Sequence, residues 1–421
     1  MRRASTPWIA VVLIAVSAAA IGTARGETDA GRPAVARERR LAVAGELRLL
    51  AMDGGRVAYD LAGDALAKSR ERRCNRVRVW TVAAGRTVAV SGRRTCTADS
   101  TSTGAGVREL ALAGARVAWI RNVGGNTESD DELYTASLGR PRERRLASAS
   151  RHGDVDCVLT GRWLGGLVGD RDLLVYNAWT TTAANPGQQG SCAMKATSGA
   201  LRRIAGARTS RIAAGTDVLV ATDADRGRIA VLREGGRVAL YSPRGGLVRA
   251  FAATGAKEVA IAGDFLALLT RTRALEIYGV PTGALVRTLG VASDAAHLDA
   301  ASGVAAYAAG RRLHVVQLRT GKDVVLAAGL RSIVEVAIDD PGVAYGYNLR
   351  WSRRLGSRAK IVFVPMARVL RALAANLARD GAARGRAAPR PLPPQALRPA
   401  RSLSHRSLFS SWISSRIAST S

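Results

Sequence analysis

Apolar residues in this chain come in short runs, broken by glycine, aspartate, asparagine and arginine, and the runs recur at a fixed spacing. The clearest case lies between Lys257 and Leu326, where one pattern is written twice. EVAIAGDFLALLTRTRALEIYGVPTGALVRTL spans Glu258 to Leu289, and HLDAASGVAAYAAGRRLHVVQLRTGKDVVL spans His297 to Leu326. Each copy reads as four short strands separated by tight turns, because brief apolar or alternating runs bounded by turn residues are strand signals. Thr282-Gly283 and Thr320-Gly321 sit 38 residues apart, and Gly245 lies 38 before the first of these glycines. No long helical period appears before residue 365.

Four strands per period of about 40 residues is the repeat of a β-propeller blade. The pattern therefore predicts an all-β chain with a single seven-bladed propeller of four-stranded antiparallel blades over residues 38–365, six or eight blades also being compatible with the length. The first blade covers about 46–92 with its outer turn at Gly85, the second 107–150 with Gly139, and the third 155–207 with Gly199. The fourth covers about 212–252, the duplicated pair supplies the next two, and VEVAIDDPGVAYGYNL (Val334 to Leu349) opens the seventh. ARERRLAVAG, Ala36 to Gly45, resembles the outer strand PRERRLASAS of the second blade. Because closed propellers protect their edges, Glu38 to Val43 is expected to complete the last blade. Met366, Val369, Leu370, Leu373 and Leu377 share a helical face behind Pro365, so a short helix is expected over 366–378. Residues 379–421, rich in Arg, Pro, Ser and Ala with Asp380 the lone acid, read as a disordered basic tail.

Composition adds compartment and charge. Arg2 and Arg3 precede an uncharged, mostly apolar stretch from Trp8 to Gly22, and small residues follow; residues 1–26 read as a signal peptide, with 27–37 a flexible leader. Cleavage would leave no membrane span and an extracytoplasmic protein, the alternative being an anchor. The four cysteines suit an oxidising compartment. Cys74 and Cys96 flank the hairpin centred on Gly85 and are expected to pair, leaving Cys157 for Cys192. The formal charge is +30, with 58 arginines among the 63 basic residues, yet aromatics make up only 5%. Nucleic-acid binding by basic patches interleaved with aromatics is not the expectation from that composition.

Candidate chemistry is sparse. No Gly-x-Ser-x-Gly elbow, phosphate loop or CxxC pair occurs. His152 in SRHGDVDC lies near Asp154 and Asp156 and reads first as a polar inter-blade loop. Asp223 and Asp225 in TDADRGR have partial calcium-loop spacing, but Arg226 and Arg228 occupy positions that would need oxygen, so a polar turn is expected. Asp339-Asp340 before Pro341-Gly342 reads as turn chemistry. The densest acidic stretch, Gly124 to Glu132, offers Asn126, Glu128, Asp130, Asp131 and Glu132 in an expected loop. A second insertion, Thr180 to Ser191, breaks the period of the third blade, which Trp163 and Trp179 bracket. These two loops and the two tryptophans are the candidate binding surface. No metal or cofactor is expected.

EIYGVPTGALVRTL, VVQLRTGKDVVL and VRVWTVAAGRTVAV resemble blades of the WD-repeat-like and quinoprotein-like propellers, where a third strand runs into a Thr-Gly or Ala-Gly turn before the outer strand. In compartment and blade style the chain is also similar to the periplasmic TolB-type propellers. It departs from true WD repeats in that Thr81 follows Trp80 and Ile120 follows Trp119. The resemblance implies a rigid platform and names no ligand. The expected function is a secreted, non-catalytic, monomeric scaffold for a protein or cell-envelope partner, held on one face or at the channel mouth. A propeller enzyme of hydrolase, lyase or quinoprotein type is the alternative, disfavoured because the inner strands read as apolar. A basic adhesin for anionic envelope polymer is a further one.

Overall fold

The computed structural model describes residues 37–63, 74–92, 106–124, 128–154, 157–183, 194–215, 219–351 and 356–375. The signal segment, Cys96, Asn126, Asp156, Cys192 and the basic tail lie outside these residues. The chain divides into two units, Met1–Leu373 and Ala374–Ser421, and only residues 374 and 375 of the second are described.

The first strand is β1 (Arg39–Ala44). It is followed by a meander of β2 (Leu47–Asp53), β3 (Arg56–Leu61), β4 (Arg76–Thr81) and β5 (Arg86–Ala89). An eight-stranded sheet comes next: β6 (Gly106–Ala113), β7 (Arg116–Gly124), β8 (Glu128–Ser137), β9 (Arg140–Asp154), β10 (Cys157–Asp170), β11 (Leu173–Ala183), β12 (Met194–Ala205) and β13 (Arg208–Gly215). Three four-stranded meanders follow. They are β14 (Leu219–Asp225), β15 (Arg228–Arg233), β16 (Arg237–Tyr241), β17 (Leu247–Ala252); β18 (Ala256–Ala262), β19 (Phe265–Thr270), β20 (Ala274–Gly279), β21 (Leu285–Gly290); and β22 (Ala296–Ala301), β23 (Val304–Ala309), β24 (Arg312–Gln317), β25 (Lys322–Ala327). The last sheet has the order β1-β28-β27-β26, from β26 (Ile333–Asp339), β27 (Gly342–Asn348) and β28 (Arg358–Pro365).

The innermost strands pack in a closed ring: β2 on β6, β6 on β10, β10 on β14, β14 on β18, β18 on β22, β22 on β26, and β26 back on β2. The fold is a β-propeller. Its core is a set of apolar layers between neighbouring sheets, built by alternating residues such as Val57, Tyr59 and Ile361 between the last and first meanders. The eight-stranded sheet is folded on itself, since Ala111, Leu133 and Ile120 of its first half pack on Leu164, Leu174 and Tyr176 of its second.

As expected, β1 pairs with β28, with Leu41 opposite Ile361, so the chain's beginning supplies the outer strand of its last sheet. The side chain of Asn348 also accepts from and donates to the backbone of Leu47 at 2.8 and 3.0 Å, clasping the last sheet to the first. A helix covers 366–375 and buries Met366, Val369 and Leu373 against the last two sheets.

The recurring turn glycines have a common cause. Gly245, Gly283 and Gly321 all take positive φ, and each lies against the outer strand of the preceding sheet. A side chain at 245 would strike the carbonyl of Ile212, while one at 283 or 321 would meet Arg249 or Arg287. Arg249 bonds the carbonyls of Pro281 and Thr282 at 2.8 and 3.1 Å, which brackets one outer turn to its neighbour.

The expected third blade needs correction. Gly199 sits inside β12 rather than at a turn, and the turn falls at 206–207. The stretch from 208 to 215 is its outer strand, not the start of the next repeat. The insertion lengthened the β11–β12 hairpin, and counting a fixed period across it shifted the boundary.

Candidate functional site

The ring of inner strands encloses a channel of about 340 Å³. The sequence reading of these strands as poor in acids is overturned here: Asp53, Glu109, Asp170, Asp223, Asp225, Asp299 and Glu335 all line it. Their parity in the strands explains the oversight, because an apolar run with one acid every few residues still reads as apolar while placing that acid at the axis.

Six of these carboxylates, with Glu258 and Asp339 beside them, tie each inner strand to the next inner strand or its turn. Asp225 accepts the backbone N–H of Gly263 at 2.6 Å, Asp223 that of Ile261 at 2.7 Å, and Glu258 that of Leu298 at 2.7 Å. Asp299 accepts from Ile338 and Glu109 from Leu167, both at 2.8 Å. Asp339 accepts from Gly54 at 2.5 Å, Asp170 from Gly227 at 3.3 Å, and Asp53 from Gly114 and Arg171. Asp223 and Asp225 are thus strand residues, correcting their reading as a polar turn. Burial pushes Asp299 up to about 7 and Asp170 to about 6, and it raises Asp223 well above the usual carboxylate range, with the charge of Asp299 adding to the effect. Carboxyls moved out of water favour their neutral form.

Where the inner strands end, Asp340 bridges the mouth. It accepts from Ser302 Oγ at 2.5 Å, Arg171 at 3.2 Å and Arg226 at 3.4 Å. Arg171 follows β10 and Asp340 follows β26, three places apart in the ring of inner strands, so the pairs cross the channel opening. The Ser302 bond, then Arg226 and Arg171, hold the Asp340 carboxyl below its usual range.

The opposite mouth carries the hairpin tips of the eight-stranded sheet, where β9, β10, β11 and β12 run 15, 14, 11 and 12 residues. Six or seven residues is the length of the inner strands of the four-stranded sheets. These long strands form a crown that breaks the repeat. The expected acidic loop belongs to it and is mostly strand, since Glu128, Asp130, Asp131 and Glu132 all lie in β8. Asp131 is fully buried and bonded to Arg151 at 2.5 Å, Arg108 at 3.2 Å and Asn122 at 2.9 Å. Glu132 pairs with Arg145 at 2.8 Å and Arg121 at 3.4 Å. Two of the five acidic-stretch candidates, Asp131 and Glu132, therefore answer cations of the crown. Asp130 sits in the pairing of β8 with β9, and Asn126 is not described. His152 approaches Glu128 at 3.4 Å at the exposed tip.

The two tryptophans do meet. Trp163 and Trp179 are directly opposed in β10 and β11, their rings 6.0 Å apart and 7° from parallel. The Arg151 guanidinium lies 4.0 Å from the Trp163 ring, and Trp163 Nε1 donates to Thr181 at 2.7 Å. Both rings are half-buried. Arg151 and Arg108 were missed from the sequence, although Arg151 shares the inward parity of Ala149, as Asp131 shares that of Leu133.

Cys74 is engaged in a disulfide, and no free cysteine occurs among the described residues. The expected Cys74–Cys96 and Cys157–Cys192 pairings involve residues outside the described set. Among the described residues no group of His, Cys, Asp and Glu could hold a metal ion, and no helix is long and apolar enough to cross a membrane.

No family model and no curated protein matches the chain. Among solved structures it is similar to the computationally designed Ika8 protein, at 12% identity and a TM-score of 0.44, over 77% of this chain and 98% of that one. It is also similar to a chain of the Mitotic Checkpoint Complex, at 15% identity and a TM-score of 0.45, over 84% and 99%.

Proposed function

We propose that the chain is a secreted, non-catalytic, monomeric propeller of seven blades that binds a protein of the cell envelope on the crown side of its channel. Seven inner strands in one closed ring support the blade count, with the eight-stranded sheet serving as two blades joined through β9 and β10. The observation that carries the non-catalytic reading is the use of the channel acids. Six of the seven channel acids, with Glu258 and Asp339 beside them, accept backbone N–H groups of the next inner strand or its turn, an arrangement that serves closure of the ring rather than proton transfer to a substrate. The crown supports the location, because insertions on a rigid frame are where binding concentrates. Its half-buried Trp163 and Trp179 provide contact area with little side-chain entropy to lose.

The enzyme alternative rests on Asp223 and Asp299, two channel acids that burial keeps towards the neutral form, the charge of Asp299 adding to the effect on Asp223. One experiment separates the readings. The purified mature protein is melted against calcium, EDTA, sugars, quinones, nucleotides and anionic polymers, and in parallel cross-linked in cell envelopes. No small-molecule shift, with a cross-linked envelope protein lost in Trp179→Ala, is the expected outcome. A saturable small-molecule shift abolished by Asp299→Asn would replace the scaffold reading with the enzyme one.

A further inference from the structure

We propose that the outer edge of β21 is a docking site for an extended segment of another protein, rich in aliphatic and acidic residues, which joins the sheet as an added strand. The first observation is where apolar surface is left uncovered. Leu247 and Val248 of β17 are 61% and 51% exposed, Leu285 and Val286 of β21 51% and 45%, and Val325 of β25 42%. Only Trp351 and Leu370 join them as exposed large hydrophobics among the described residues. On β17 and β21 the exposed apolar residues stand as adjacent pairs, which mark interaction sites better than scattered single residues do.

The second observation is that these residues lie on sheet edges. β17, β21 and β25 each end their sheet, so among the described residues one side of each backbone has no strand partner. Edge strands are ordinarily blunted by charge, and other outer strands of this molecule obey that rule. β9 exposes Arg140, Arg142, Arg144 and Arg145, β13 exposes Arg208 and Arg211, and β1 exposes Arg39 and Arg40. β21 instead leads with Leu285-Val286, and its first four residues are all exposed. An edge that is both apolar and open is a template for strand addition.

Charge selects the occupant. The outer hairpins at 237–252 and 274–290 carry Arg237, Arg244, Arg249 and Arg287 against Glu276 alone, and Glu276 already accepts from Tyr278 at 2.8 Å. Alternating aliphatic and acidic side chains meet both the Leu-Val surface and these cations. A second copy of this chain, with formal charge +30, is repelled.

The test is fluorescence anisotropy of the full mature chain with a labelled peptide of alternating Val and Glu. Comparison peptides are the Val and Lys counterpart and a Val-Glu peptide with a central proline. The expected result is binding by the Val-Glu peptide at least tenfold tighter than either comparison. The double variant Leu285→Lys/Val286→Lys should lose that binding by tenfold or more while keeping its melting point, since both positions are exposed. Equal binding of the three peptides, or unchanged binding by the double variant, would overturn the proposal. So would a dimer in sedimentation that the double variant dissolves, because it would give the edge to a second copy. None of these readouts depends on the crown.

Discussion

Replacing Arg151 by alanine tests whether the crown is a built structure or a loose insertion. Its guanidinium donates to Asp131 at 2.5 and 3.3 Å and to Ser129 at 2.7 Å, and it covers Trp163 at 4.0 Å. Arg151 and Asp131 are 4% and 0% exposed, so water screens little of this. Removing one partner of a buried ion pair costs about 3–5 kcal/mol, because the remaining charge is stranded away from water. Arg108 at 3.2 Å and Asn122 at 2.9 Å still answer Asp131, which places the expectation near the lower end, at about 3–4 kcal/mol. In a chain of this size each kcal/mol moves the melting midpoint by about 2 °C, so a fall of about 6–8 °C is expected in a thermal melt. The double variant Asp131→Leu/Arg151→Met should recover part of the loss, since it strands no charge. A fall of 2 °C or less in Arg151→Ala, at the level of an exposed pair worth about 1 kcal/mol, would refute the buried network.

Other consequences can be measured on the same material. Asp60, Asp170 and Asp299 all have carboxyls raised by burial, to about 7, 6 and 7, so the folded state holds protons that the unfolded chain releases near pH 3.8. Their stabilisation is present below that value and is lost as pH rises through the raised pKa values; the midpoint should fall between about pH 4 and pH 7, less steeply in Asp299→Asn. Gly245→Ala should cost about 3 kcal/mol by chemical denaturation and Gly321→Ala about 1–2, because the first meets the carbonyl of Ile212 whereas the second meets the flexible side chain of Arg287. Deleting 37–44 removes Leu41 and Val43 from the last sheet and should cost about 3–5 kcal/mol, with light scattering reporting association through the bared β28.

The repeat was legible wherever its period was intact. From β14 to β27 the turn glycines and alternating runs place strands close to where they lie, and the pairing of β1 with β28 follows from a likeness between two arginine-rich outer strands. The third blade was not legible in the same way, since an insertion changes spacing without changing alternation, so Gly199 looked like a turn while pairing with Trp179. The acid-rich stretch failed for a different reason. Charge density in sequence suggests exposure, whereas Asp131 is buried by arginines that arrive from β6 and β9. A pairing partner 20 residues away in the chain leaves no local mark on either residue. Apart from Asp223 and Asp225, which the sequence showed as a pair but as a turn, the channel acids stayed hidden because they stand among apolar strand residues, and only closure of the ring collects them.

Of the described strands β1 leaves the ribosome first, yet its partner β28 is the last of them. Leu41 must wait for Ile361. Until then every sheet can form from neighbours in the chain, but the ring has no seam to close, and both β1 and the flank of β28 stand as open edges. Long-range pairings of this kind are slow, and the open intermediate is the species most prone to stick to another copy. A chain stalled or clipped anywhere before residue 358 would therefore be held in that state permanently, so intact length is itself a condition of solubility for this molecule.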